Sequence, residues 1–126
     1  MQNLDQIRAQ LALVKADATS KQATSKLPAM IMANGLLAAT AFATESKDGN
    51  TPKRREMDAA MNAVAEHLAK PVHGLSILAN KTSAKEMLAA LSSNTSTSLD
   101  LQRATAEALS FLSYLKRFTT KKGEQE

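Results

Sequence analysis

The longest stretch without a formal charge covers residues 27–44, eighteen positions in all. A helix of that length can cross a bilayer. The stretch is dominated by alanine, which transfers weakly into lipid, and it contains Pro28, Asn34 and Gly35. We therefore predict a buried helix at the centre of a bundle rather than a membrane span.

Composition narrows the fold class. The chain has 126 residues, of which 44% are hydrophobic, which is enough for one domain over residues 1–126 and too few for two ordinary ones. Aromatic residues make up only 3%, and there are four glycines and three prolines, so helix formers outweigh strand formers. We predict an all-α fold, a single compact bundle of about five to six helices.

The cysteine count and the amino terminus bear on location. The absence of cysteine excludes disulfides, thiolate metal sites and cysteine nucleophiles, and it fits a reducing compartment. Residues 1–10 are mostly polar, include Asp5 and Arg8, and lack the continuous apolar core of a signal peptide. A cytoplasmic location is therefore expected.

Apolar residues recur at intervals of three and four, the period of an amphipathic helix. The first helix is predicted after an Asn3 cap, with a buried stripe made by Leu4, Ile7, Leu11, Val14 and Ala18. A Ser25 cap precedes the second and most buried helix, at about 26–46. Thr51 and Pro52 start a third, whose inward positions are Met57, Met61, Val64 and Leu68. A short segment at 75–79 and a helix capped by Thr82 or Ser83 follow, the latter turning Met87, Leu88 and Leu91 inward.

The last predicted helix, about 99–121 and capped near Thr97 or Ser98, can be assigned two faces. Its buried stripe is formed by Leu101, Thr105, Ala108, Leu112 and Leu115, with Phe111 and Phe118 beside it. The opposite side carries Arg103, Glu107, Ser110, Tyr114, Arg117 and Lys121. Because Lys116 and Lys122 flank that side, we predict a basic ridge along the helix.

Catalysis requires ionisable groups that converge, and the sequence offers few. His67 and His73 are six residues apart with a proline between them, so they do not share a helix face. We interpret both as solvated rather than as metal ligands with Glu66. No phosphate-binding loop, nucleophile elbow or paired-histidine zinc motif is present, and Gly35 is interpreted as permitting close helix approach. Neither enzymatic activity nor a cofactor is expected.

The charges of the chain are unevenly distributed. Sixteen basic and twelve acidic residues give a net charge of +4. The basic residues gather at Lys53, Arg54 and Arg55 and along the last helix. Such clusters can hold nucleic-acid phosphates without reading bases, while the scarcity of aromatic residues disfavours a stacking platform. From the residues alone, ordinary solvated helix faces explain the clusters equally well.

Two segments carry a resemblance to a known family. Residues 27–42 read LPAMIMANGLLAATAF and residues 103–118 read RATAEALSFLSYLKRF. They resemble, in the same order, the signature stretches of the small helical subunit of the type III-B CRISPR effector, the Cmr complex. The paired stretches cover about a quarter of the chain.

The resemblance implies a structural subunit rather than a nuclease or cyclase. Copies of such a subunit stack head-to-tail along the complex and line the channel that holds target RNA paired to guide RNA. Its implied partners are the other Cmr subunits, both RNAs and further copies of itself, with no membrane and no small-molecule substrate. From the charge pattern, we predict phosphate contacts at Arg103, Arg117 and Lys121, and then at Lys116, Lys122, Lys53, Arg54 and Arg55. The alternative is a helical scaffold that binds only proteins through its basic face.

Overall fold

The computed structural model describes residues 3–44, 52–70, 83–93 and 97–124, without the side chains of residues 18, 52–54 and 120–124. These ranges contain six α-helices, which confirms the predicted all-α bundle. The helices are α1 (Leu4–Lys15), α2 (Lys21–Asn34), α3 (Leu36–Thr44), α4 (Pro52–Leu68), α5 (Ala84–Leu91) and α6 (Ser98–Glu124). A short 3₁₀ helix, Ala16–Ala18, follows α1. The predicted segment at 75–79, His73 and residues 94–96 of the polar loop lie outside the described residues.

Local capping signals set most helix starts. Asn3 and Gln6 form a reciprocal capping box at α1, and Ser83 accepts a hydrogen bond from the Glu86 amide at α5, both at predicted caps. Pro52 occupies the first position of α4, as predicted. The start of α2 was predicted wrongly, because Ser20 rather than Ser25 accepts the hydrogen bond from the Ala23 amide. A serine five residues upstream provides an equivalent cap, so the helix starts there.

The predicted single helix over 26–46 is wrong, because Gly35 divides it into α2 and α3. Gly35 has φ 92° and ψ 160°, a conformation that non-glycine residues essentially never adopt. A Cβ atom at this position would meet nothing within 4 Å. Gly35 therefore supplies a backbone break and does not permit close packing of a neighbouring helix, contrary to the interpretation from the sequence.

Replacing Gly35 with alanine is expected to lower the free energy of unfolding by about 1–3 kcal/mol, the cost of holding a residue in a sparsely populated backbone region. Because the Cβ would meet nothing within 4 Å, the loss comes from the backbone alone. Urea denaturation measures it, and Asn34→Ala, at the adjacent exposed position, is the matched control. Equal unfolding midpoints for the two variants would contradict the assigned backbone role.

The central helix of the bundle is α4, which packs against all five of the other α-helices. Its predicted inward residues are all buried: Met57, Met61, Val64 and Leu68. The charge-free segment, predicted to be the most buried, instead exposes Met32 by 77% and Phe42 by 41%. The segment is divided between the end of α2 and α3, and each of these helices has both buried and exposed positions, whereas α4 is buried or half-buried from residue 56 to residue 68.

None of the described helices combines the length and the apolar character needed to cross a membrane.

In α1, Ile7 and Leu11 are buried as predicted, but Val14 is 69% exposed and Ala12 is buried in its place. The buried face of α1 is rotated because its neighbours, α6 and α4, cover the side that includes Ala12.

Candidate nucleic-acid interface

Three cations predicted on or beside the ridge of α6 have described side chains. Arg103, Lys116 and Arg117 are exposed, and within the described chain none of them pairs with a carboxylate. Arg103 and Arg117 are fourteen residues apart, which places them about 21 Å apart along the axis and about 40° apart around it. Lys116 points about 100° away from Arg117 around the helix. The two arginines therefore share a side of α6, and Lys116 faces a different direction.

Glu107 was predicted on the same ridge, and that prediction is wrong. The residue is only 8% exposed and points into the bundle. The Arg8 guanidinium of α1 donates two hydrogen bonds to it, from Nε to Oε1 at 2.6 Å and from Nη2 to Oε2 at 2.7 Å. This two-pronged geometry is the strongest arrangement of an arginine and a carboxylate. The sequence could not show that α1 places an arginine opposite this position.

The remaining ridge positions also differ from the prediction. Ser110 and Tyr114 are half-buried, and the Tyr114 ring lies 6.2 Å from that of Phe118. The most exposed strip of α6 instead includes Gln102, Ala106 and Ser113. The exposed face is thus turned relative to the predicted ridge because α1 covers the side that bears Glu107.

Because Glu107 points into the bundle, its negative charge does not lie on the surface of α6. Among residues 101–119, the charged side chains are Arg103, Glu107, Lys116 and Arg117. Because Glu107 is buried and paired with Arg8, every exposed charge in this part of α6 is positive. This arrangement suits contact with an anionic backbone. The half-exposed Asp100 lies one turn before Arg103, where its side chain accepts a hydrogen bond from the Thr97 amide.

Of the five further residues predicted to contact phosphate, only Arg55 has a described side chain. The backbone of α6 is helical through Lys121 and Lys122, but their side chains lie outside the described residues. The same holds for Lys53 and Arg54 in the first turn of α4, whereas Arg55 is exposed. Phosphate contact at all of these positions stays a prediction.

His67 was predicted to be solvated, and the structure corrects this. The side chain is fully buried, with Nε2 2.8 Å from Oε1 of Glu107. Its ring stacks on Phe111 at a centroid distance of 4.7 Å. We call Arg8, Glu107 and His67 the buried ion cluster. It joins α1, α4 and α6, and no described group of three or more metal-ligating residues forms around it or elsewhere.

The electrostatics of the buried ion cluster follow from burial and hydrogen bonding. Burial alone would raise the pKa of Glu107, but hydrogen bonds from Arg8 and His67 outweigh it and hold that pKa below 4.5. The hydrogen bond to Glu107 raises the pKa of Arg8, so this residue stays charged. Burial lowers the pKa of His67 below 6.5, against the opposing hydrogen bond from Glu107. The cluster therefore contains one ion pair and a neutral histidine at neutral pH.

Sequence signals for the buried ion cluster existed and were missed. Arg8 lies four residues after Leu4 and three before Leu11, on the apolar stripe of α1. Glu107 lies three residues after Ala104 and four before Phe111, which are both buried. A charged residue at an inward position of each of two helices is the pattern of a buried pair, because an isolated buried charge is too costly.

Comparison with known proteins identifies the family. A family model described as CRISPR-associated protein (Cas_Cmr5) matches residues 3–121, which include all but the last residues of α6. No curated protein and no solved structure gave a significant match. The match also spans both segments that carried the resemblance, 27–42 and 103–118. The chain therefore belongs to the Cas_Cmr5 family of CRISPR-associated proteins, which confirms the family predicted from its sequence.

Proposed function

We propose that this protein is a non-catalytic structural subunit of a cytoplasmic type III-B CRISPR effector complex, acting in antiviral defence. As a single helical domain, it stacks in copies along the complex and contacts the backbone of target RNA paired to guide RNA. Family membership supports the assignment to a Cmr complex. The observation that supports RNA contact is that Arg103 and Arg117 are exposed on one side of α6, while Glu107, which lies between Arg103 and Arg117 in the sequence, is buried and paired with Arg8.

The proposed mechanism is electrostatic and independent of base sequence. Arginine side chains on α6 bind phosphate oxygens and release counterions, while base pairing between the two RNAs supplies the specificity. A few phosphate contacts per copy give weak binding, but copies acting on the same strand multiply their effect. The axial separation of about 21 Å between Arg103 and Arg117 lets one helix reach phosphates several nucleotides apart.

The test is the salt dependence of target RNA binding by the reconstituted effector complex. With Arg103→Ala and Arg117→Ala combined, the slope of log affinity against log salt is expected to fall by about 1.4–1.8 for each copy that contacts the RNA, because each lost phosphate contact removes about 0.7–0.9. The matched control combines Lys21→Ala and Lys85→Ala, which removes the same charge from exposed positions of α2 and α5. The control slope is expected to stay close to that of the unmodified protein.

Two outcomes would contradict RNA contact by α6. Equal slopes for the arginine variant and the unmodified protein would mean that these arginines touch no phosphate. Equal losses in the arginine and lysine variants would mean that total charge, rather than this face, governs binding. Gel filtration of each complex verifies that the variant subunit is still incorporated.

A second candidate function is a scaffold that binds only protein partners. Four large apolar side chains favour it because they are more than half exposed: Leu13, Val14, Met32 and Leu99. A groove of about 580 Å³ also lies between the α2–α3 break and α6, lined mainly by apolar residues such as Leu37, Leu101 and Leu109. Under this alternative, the basic face meets acidic surfaces of partner proteins, so the arginine variant weakens incorporation, and complexes that contain it keep the salt dependence of RNA binding.

A further inference from the structure

The buried ion cluster leaves one polar atom without a partner. Nδ1 of His67 is buried and has no hydrogen-bond partner among the described residues. The other ring nitrogen is used by Glu107, and the ring face is covered by Phe111. A neutral imidazole fits this site well, since Nε2–H donates to the carboxylate while Nδ1 remains unprotonated. An unprotonated Nδ1 leaves only an acceptor lone pair without a partner, rather than a buried N–H donor.

Protonation of His67 would unbalance the buried ion cluster. Arg8 already neutralises Glu107 through two hydrogen bonds, so the carboxylate is not available as a full counter-charge for a second cation. The added proton on Nδ1 would also create a buried donor without an acceptor, which costs free energy. Both effects disfavour the charged histidine in the folded state.

The charged groups around His67 reinforce this conclusion. Glu107 faces it from α6, Arg8 faces it from α1, and Lys70 acts on it from just beyond α4. No charged residue is present in α3, and the charged side chains of α2 and α5 are exposed. Two cations and one anion therefore act on His67, so a third positive charge is unfavourable.

We propose that His67 is a pH-sensitive contact between α4 and α6. Neutral His67 stabilises the packing of the two helices through its hydrogen bond with Glu107, and protonation of His67 weakens that packing. This inference concerns the fold of the isolated chain and goes beyond RNA binding. Lowering the pH below neutrality is therefore expected to weaken the packing of α6 against α4.

The sign of the pH dependence follows from proton binding. Burial lowers the pKa of His67 in the folded chain, so between that pKa and 6.5 the unfolded chain binds more protons. Stability therefore falls as the pH drops below about 6.5. The pKa of Glu107 is also lowered, but its loss begins only below about 4.5. The two residues thus act in separate pH ranges.

The experiment is urea denaturation of the full chain between pH 7.5 and pH 5.0. For the unmodified protein, the unfolding equilibrium constant is expected to rise by up to about tenfold per pH unit below about 6.5, the effect of one proton. His67→Gln removes the titration while retaining an N–H that can reach Glu107, so its dependence should be nearly flat. His73→Gln removes the other histidine of the chain and should retain the full dependence.

Equal pH dependence in the unmodified protein and His67→Gln would overturn the proposal, as would its loss in His73→Gln. If His67→Gln does not fold, an NMR titration of the His67 ring in the unmodified protein decides instead. A neutral ring with its proton on Nε2 at pH 6.5 supports the proposal. A ring of which at least half is in the charged, doubly protonated form at that pH overturns it.

Discussion

Replacing Glu107 with alanine is expected to lower the free energy of unfolding by about 3 kcal/mol. Removal of one partner of a buried ion pair leaves the other charge uncompensated, at a cost of about 3–5 kcal/mol. We expect the lower end because the Arg8 side chain is 17% exposed and can regain some hydration. The loss corresponds to a decrease of about 10 °C in Tm for a domain of this size, measurable by calorimetry.

The chain offers a matched control, because Arg8 also pairs with Asp5. That contact is equally short, 2.7 Å, but the Asp5 side chain is 64% exposed. Asp5→Ala should therefore cost less than about 1 kcal/mol. The double variant Arg8→Met, Glu107→Leu should recover part of the loss, since apolar side chains can replace a buried pair. Similar small losses for Asp5→Ala and Glu107→Ala would refute the structural importance of the buried ion cluster.

Replacing Phe111 with alanine is expected to cost about 3–5 kcal/mol, the usual range for an aromatic residue in a core. Phe111 is fully buried in α6 and stacks on His67, so truncation leaves a cavity beside the buried ion cluster. Denaturation in urea at pH 7.5 measures this loss while His67 is neutral.

Leu99→Ala, on the same helix, separates burial from helix propensity. Leu99 is 62% exposed, so its truncation should change stability by no more than about 0.5 kcal/mol. A loss in Phe111→Ala as small as that in Leu99→Ala would mean that α6 does not pack against α4 as described.

Several helix starts and the inward residues of α4 were predictable because their signals are local. The side chains of Asn3 and Ser83 cap their own helices, and Pro52 is suited to the first turn of α4. The inward residues of α4 follow from spacing alone. The break at Gly35 was missed because a glycine among alanines is compatible with a continuous helix, and only the backbone conformation distinguishes the two.

The candidate interface was predicted less completely. The spacing of Arg103 and Arg117 placed them on one side of a helix, and both are exposed. Glu107 lies only about 40° around the axis from Arg103, and its spacing from Phe111 could have indicated an inward position, but its partner Arg8 lies in a distant segment of the chain. Likewise, His67 could not be recognised as buried without knowing which helix covers α4 at that point.

The two hydrogen bonds between Arg8 and Glu107 help to define the orientation of α6 about its own axis. Phe111, Leu112 and Leu115 are also buried on this helix, and a rotation by one residue, about 100°, would turn this face and move the carboxylate out of reach of the guanidinium. The interior of the protein therefore determines the direction in which Arg103 and Arg117 project. For a partner that binds along this helix, the directions of the two arginines are preorganised, so binding requires no rotation of α6.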